Sequence, residues 1–107
     1  KLITMILAQL SEEPLIKLLY DDLFSEEGSE IYVKPAYLYF SKFPQTLRFG
    51  DLIRLTAKRS EVCLGIRSGN MCKNSDSNFG VRLNLPKDEE VIILSDDYLV
   101  VLSEDEL

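Results

Sequence analysis

The sequence predicts a small α+β domain, and three observations support that fold class. The chain has 107 residues, of which 46% are apolar, which is enough to fill one modest core. Helical spacing of apolar residues appears at the N-terminus and again after Phe49, whereas short extended runs occupy most of the remainder. Because helices and strands do not alternate regularly, the order argues against repeated βαβ units.

The first 24 residues predict two helices that meet at Pro14. Proline disfavours helical geometry at the preceding Glu13 and suits the first turn of a new helix. We therefore expect helices at Leu2–Leu10 and Pro14–Phe24, which link to a domain spanning residues 25–107. The first helix is apolar on almost every side, so both of its faces must be covered. The second is amphipathic, with leucines at helical spacing.

A turn and an edge strand follow. Gly28 suits the end of the helical unit because glycine readily adopts a positive φ angle. Ile31 and Val33 alternate with polar neighbours, which predicts a strand. Pro35 interrupts this strand, and Tyr37–Phe40 predicts that the extended pattern resumes at a sheet edge.

The next segment predicts one helix packed on the sheet. Its apolar positions recur with a helical period, and Asp51 in the first turn complements the helix dipole. The positions are Phe49, Leu52, Ile53, Thr56 and Ala57.

Beyond this helix the sequence predicts mostly strands, which would complete a small mixed or antiparallel sheet. Strand character returns at Glu61–Arg67, and Ser68–Gly80 reads as a polar loop before a short strand at Val81–Leu83. The apolar runs Val91–Leu94 and Tyr98–Leu102 are separated by three polar residues, which predicts a buried hairpin.

Composition narrows the function classes. A net charge of −6 leaves no basic face for nucleic acid or anionic lipid. The apolar runs are far shorter than the roughly 20 residues of a membrane span, so we expect the fragment itself to stay out of the membrane. Two cysteines without a disulfide or metal-binding spacing favour a reducing compartment.

No catalytic signature is present. The chain contains no histidine, which excludes histidine-based catalysis and the usual zinc sites, and no nucleotide-binding motif occurs. We therefore expect no enzyme activity, with a small enzyme as the remote alternative. No cofactor is evident from the sequence.

The acidic residues could bind a divalent cation such as Ca²⁺. Residues 74–78 resemble the opening of a calcium loop, but Phe79 and Leu85 stand where that loop needs Gly and Glu. Acidic side chains from separate segments could converge after folding, although turn and cap roles are the simpler explanation. The speculative metal ligands are Glu26, Glu27, Asp51, Asp96 and Asp97.

Several segments together resemble the Castor/Pollux family of ion channels. In that family, a similar acidic turn follows the linking helices and leads into a strand that ends in Lys-Pro-Ala. The closing loop and the final strands are also similar to those of TrkA-type C-terminal domains. These segments are Phe24–Ala36, Phe49–Leu52, Lys58–Val62, Leu64–Ile66, Asn84–Asp88 and Leu94–Leu102.

This resemblance implies a C-terminal lobe of the type that regulates potassium conductance (RCK-C or TrkA-C). It further implies a preceding Rossmann-like lobe in the same chain, a location on the cytoplasmic side of a membrane-bound channel, and a homodimer within a tetrameric or octameric gating assembly. Such a lobe would couple binding of a cation or small-molecule regulator to pore gating. The alternative is a ligand-sensing domain of a cation transporter or transcriptional regulator.

In this family the linking helices pair subunits, which would explain the apolar first helix. The residues that we expect at the dimer interface are Leu2, Ile3, Ile6, Leu7, Leu10 and Leu15.

Overall fold

A computed structural model describes residues 30–71, 73 and 75–105. The predicted helices at Leu2–Leu10 and Pro14–Phe24, and the turn at Gly28, lie outside these residues. Within them the chain forms a small α+β domain with antiparallel sheets and one α-helix, as the sequence predicts. None of the described helices has the length and hydrophobicity that a membrane span requires.

The larger sheet contains four antiparallel strands, which are β1 at Glu30–Pro35, β3 at Val62–Arg67, β4 at Val81–Leu83 and β6 at Tyr98–Ser103. Their order in the sheet is β1-β6-β3-β4. Strand β6 lies between β1 and β3, and from Leu99 onward its residues are buried. Because a central strand is covered on both faces, it carries a continuous apolar run rather than an alternating one.

The smaller sheet pairs β2 at Gln45–Arg48 with β5 at Glu90–Ile93. The α-helix, α1, begins directly after β2 and spans Phe49–Ala57. Its predicted apolar stripe is confirmed in part: Phe49, Leu52 and Thr56 are buried and Ile53 packs against the core, whereas Ala57 is exposed. The helix packs on β2 and β3.

The core lies between α1 and one face of the larger sheet, which we call the inner face. Side chains from α1, from β5 and from the inner face of β3 and β6 form one cluster. Its buried members are Ala36, Phe49, Leu52, Cys63, Val91, Ile93, Leu99 and Val101. The two sheets therefore share one core.

The predicted hairpin of Val91–Leu94 and Tyr98–Leu102 is wrong. Both runs contain strands and a tight turn does connect them, with the Asp97 N–H donating to the Leu94 carbonyl at 3.1 Å. The strands then diverge, because β5 pairs with β2 while β6 enters the larger sheet. Ile92 is 58% exposed between two buried neighbours, as expected of a strand with only one covered face.

Two further segments differ from the local predictions. The predicted strand at Tyr37–Phe40 does not form. Residues Ala36–Leu38 adopt a 3₁₀ helix instead, because the Ala36 carbonyl accepts hydrogen bonds from the Tyr39 and Phe40 N–H groups. The polar loop Ser68–Gly80 ends in a 3₁₀ helix at Ser75–Gly80. Strand β2 has no clear sequence signal, since it is only four residues long and directly precedes α1.

Candidate functional site

A buried polar cluster centred on Glu61 is the most unusual feature of the described residues. Glu61 lies just before β3, and its side chain is only 2% exposed. The Lys34 Nζ lies 2.6 Å from the Glu61 Oε2 atom, and the Tyr39 hydroxyl donates to the Oε1 atom at 2.7 Å. Both carboxylate oxygens are therefore occupied.

Two more side chains complete the Glu61 cluster. The Arg59 Nε atom lies 3.5 Å from the Glu61 Oε2 atom, and the Arg59 guanidinium stacks over the Tyr39 ring at 4.7 Å. The Ser103 hydroxyl lies 3.5 Å from the Lys34 Nζ. The cluster thus joins β1, the C-terminal side of α1, the start of β3 and the end of β6.

The electrostatics keep Glu61 ionised. Burial is the largest single influence on the Glu61 pKa, and it opposes ionisation. Hydrogen bonds from Lys34 and Tyr39, together with the charges of Lys34 and Arg59, outweigh burial. The Glu61 pKa therefore lies below its ordinary value. Burial, followed by the hydrogen bond to Glu61, raises the pKa of Tyr39 above its ordinary value. At neutral pH the cluster therefore holds a carboxylate, surrounding cations and a neutral phenol.

In this arrangement the polar groups of the cluster satisfy one another. The Glu61 carboxylate is held by fixed donors, and no buried polar side-chain atom within residues 30–105 that the structure describes lacks a hydrogen-bond partner. Sequence reasoning missed the cluster because its members are separated by up to 69 positions. The one signal in the sequence was Lys34, a charged residue within a predicted strand.

A cavity of about 340 Å³ lies beside the first turn of α1. Three cationic side chains and one acidic side chain border it, so its charge favours a small anion over a bare cation. Its lining residues are Arg48, Gly50, Ile53, Arg54, Lys87 and Asp88. This cavity could not be predicted from the sequence, because α1 and the loop before β5 are distant along the chain.

The predicted acidic residues have local roles where the structure describes them. Asp51 accepts the Arg48 N–H at 3.0 Å and pairs with Arg54, and the backbone hydrogen bond is the main reason that its pKa lies below the ordinary value. Asp97 is buried and accepts the Gly69 and Leu94 N–H groups at 2.9 and 2.8 Å. Asp96 is exposed.

These positions do not form a metal centre by themselves. Over residues 30–71, 73 and 75–105, no group of three or more His, Cys, Asp or Glu side chains is arranged to hold a metal ion. Glu26 and Glu27 lie outside the described residues, as do the dimer-interface positions Leu2, Ile3, Ile6, Leu7, Leu10 and Leu15. Their predicted roles stay predictions.

Cys63 is a core residue rather than a reactive thiol. It is 6% exposed and lies in the cluster beneath α1. Burial raises the pKa of its thiol to about 12, so the thiolate, which is the reactive form, is scarce at neutral pH.

Comparison with known proteins connects the chain to ion channels. No protein-family model matches it. Over 70 residues it is 34% identical to the ion channel DMI1 of Medicago truncatula. Over the same number of residues it is 33% identical to the ion channel POLLUX and 29% identical to the ion channel CASTOR, both of Lotus japonicus. Each match covers 65% of this chain and 8% of the relative.

The chain thus spans a small part of these relatives, about one twelfth of their length. The similarity agrees with the resemblance that the sequence motifs indicate. About two thirds of the chain is therefore homologous to a segment of the Castor/Pollux-type ion channels.

Proposed function

We propose that the chain is a non-catalytic regulatory domain of an ion channel of the Castor/Pollux type, which dimerises and couples ligand binding to pore gating. The observation that supports this most is the homology to proteins named as ion channels. The α+β architecture is compatible with an RCK-C-type lobe. The same homology favours a channel over a transporter or transcriptional regulator as the parent protein.

Such a domain would act by differential binding. A ligand that binds one arrangement of paired subunits more tightly than another shifts the population toward the first arrangement. The unit that transmits this shift would be the domain described above, because the buried Lys34–Glu61 pair and the Lys34–Ser103 contact connect β1, the start of β3 and the end of β6. Homodimers would assemble further, beside a Rossmann-like lobe on the cytoplasmic side of the membrane.

The dimer interface would use the apolar N-terminal segment. Its proposed members are Leu2, Ile3, Ile6, Leu7, Leu10 and Leu15. Burying one large aliphatic side chain stabilises an interface by roughly 1.5–3 kcal/mol. We therefore expect the Ile6→Asp substitution to convert the dimer into a monomer.

Analytical ultracentrifugation of the 107-residue chain tests this interface. The wild-type chain and a Gln9→Asp control should both sediment at twice the chain mass, because Gln9 is a polar position of the same segment. The Ile6→Asp variant should sediment as a monomer. A wild-type chain that stays monomeric at high concentration would refute the dimer.

The regulator would be a divalent cation such as Ca²⁺ or a small molecule. A thermal-shift screen identifies it, because a ligand that binds only the folded state must raise the unfolding temperature. The screen should contain calcium, monovalent cations and nucleotides. Calorimetry then measures the stoichiometry, and no binding by any of these compounds would argue against ligand sensing through this domain alone.

A further inference from the structure

The four-stranded sheet has a second apolar face, opposite to the one that contacts α1, which we call the outer face. Adjacent strands supply it, since Ile31 of β1 pairs with Leu102 of β6 and Val33 pairs with Val100. These four side chains lie outside the buried cluster beneath α1. Leu99 and Val101, which alternate with them along β6, belong to that cluster.

Three side chains of the outer face are nevertheless buried. Val100 is 0% exposed, and Leu102 and Ile31 are 5% and 7% exposed. Side chains stand roughly perpendicular to a sheet, so neighbours within the sheet cannot cover their ends. The main contacts of α1 are with β2 and β3, and those of the 3₁₀ helix Ser75–Gly80 are with β3 and β4. Neither helix therefore has its main contacts with β1 or β6.

We propose that the segment Pro14–Phe24 of the same chain packs on the outer face as an amphipathic helix. Helical spacing places Ile16, Leu19 and Leu23 on one side of this segment and Lys17 and Asp21 on the other. The three apolar residues would contact Ile31, Val33, Val100 and Leu102.

The dimensions of the segment match those of the outer face. A helix is about 10 Å wide with its side chains, which equals roughly two spacings between strands and so covers β1, β6 and β3. Eleven helical residues extend about 16 Å, and a six-residue strand extends about 20 Å. One helix of this length is therefore sufficient to bury the centre of the face.

The connection also favours the same chain over a second copy. Only residues 25–29 separate Phe24 from β1, and five residues span at most about 17 Å, so the segment cannot move far from the sheet. Tethering gives it a high effective concentration at the outer face. This packing does not depend on the proposed channel function, and it leaves Leu2–Leu10 and Leu15 for the subunit interface.

Methyl NMR spectroscopy of the full chain tests the packing directly. We expect nuclear Overhauser effects between the methyl groups of Leu19 or Leu23 and those of Val33 or Val100. A sample that mixes labelled and unlabelled chains separates contacts within one chain from contacts between two. Effects seen only between chains would overturn the proposal in favour of a second copy. Effects to residues 2–10 instead, or none at all, would also overturn it.

Matched substitutions provide an independent measurement by hydrogen exchange. The Leu19→Asp substitution should make the amides of β1 and β6 exchange at least about tenfold faster, because opening of the sheet becomes easier. Lys17→Asp, on the opposite side of the segment, should leave the exchange rates unchanged. If Leu19→Asp does not fold, Leu19→Ala should produce a smaller acceleration on the same strands. Equal exchange in the Leu19 and Lys17 variants would contradict the proposal.

Discussion

Lys34 and Glu61 form a buried ion pair that joins β1 to the residue just before β3, a strand that is not the neighbour of β1 in the sheet. The Lys34 Nζ lies 2.6 Å from the Glu61 Oε2 atom, and the two side chains are 1% and 2% exposed. Lys34 belongs to β1 and Glu61 precedes β3, while β6 lies between these strands. The pair therefore bridges across the central strand.

Loss of one partner should destabilise the domain strongly. The Lys34→Met substitution keeps most of the side-chain length but leaves Glu61 as a buried carboxylate without its nearest cation. Breaking a buried pair in this way costs about 3–5 kcal/mol. Urea unfolding followed by circular dichroism measures the change in the free energy of unfolding.

The double variant Lys34→Met/Glu61→Leu is the control for this experiment. Removing both charges should restore part of the lost stability, because a buried pair can often be replaced by apolar side chains. A Lys34→Met variant as stable as the wild type would show that the pair does not contribute.

The stability of the domain should fall in acid. The folded-state pKa of Glu61 lies below its ordinary value of 4.5, because donors to its carboxylate outweigh the effect of burial. The stabilisation is therefore complete above pH 4.5 and is lost as the pH falls below that value toward the folded pKa. Asp51 contributes in the same direction from an exposed position, so its share should shrink in high salt.

Thermal unfolding at pH values from 7 down to 3 measures this dependence. The Glu61→Gln variant should be less stable at pH 7, and its unfolding temperature should change less between pH 5 and 3 than that of the wild type. Parallel pH curves for the two proteins would contradict a depressed pKa at Glu61.

Asp97 should be far more important to stability than its neighbour Asp96. Its carboxylate accepts the Gly69 and Leu94 N–H groups and thereby fixes the turn between β5 and β6. Asp97→Ala leaves these donors without their acceptor, at a cost of about 1–3 kcal/mol. The matched Asp96→Ala substitution, at an exposed position, should change the free energy of unfolding by less than about 0.5 kcal/mol.

The same pair of variants separates a structural role from a metal role. If Asp96 and Asp97 bind Ca²⁺, calcium should raise the unfolding temperature of the wild type, and Asp96→Ala should reduce that increase. If Asp96 and Asp97 have only turn roles, calcium should change the unfolding temperature of the wild type and of Asp96→Ala by the same amount.

Asp51 should stabilise the start of α1. It accepts the Arg48 N–H at 3.0 Å and lies in the first turn, where a negative charge complements the helix dipole. The Asp51→Ala substitution should lower the free energy of unfolding, because the Arg48 N–H loses its acceptor and the first turn loses its negative charge. Arg54→Ala should have a smaller effect, because Arg54 forms only an exposed pair with Asp51. Equal losses in the two variants would argue against a capping role.

The sequence predicts local structure well wherever a long periodic pattern exists. The stripe from Phe49 to Ala57 gives α1 because packing and local preference agree there. The partners of β5 and β6 could not be predicted, since two adjacent apolar runs are compatible with either a hairpin or separate sheets. The choice depends on β1, β2 and β3, which are distant along the chain.

The contacts of the Glu61 cluster could not be predicted from the sequence either. Glu61 appears in the sequence as an ordinary charged residue after a helix, and Tyr39 was assigned to a strand. Only the folded backbone brings them within 2.7 Å of each other. Their burial also depends on Lys34, because an unpaired carboxylate would be too costly to place there.

Single-channel recording most directly tests whether this domain controls a pore. The channel POLLUX of Lotus japonicus, with its 70 matching residues replaced by those of this chain, would be recorded in a planar bilayer over a calcium titration. We predict that the open probability of this chimera depends on calcium and that removal of the segment abolishes the dependence. An open probability that is identical with and without the segment at every calcium concentration would contradict a gating role.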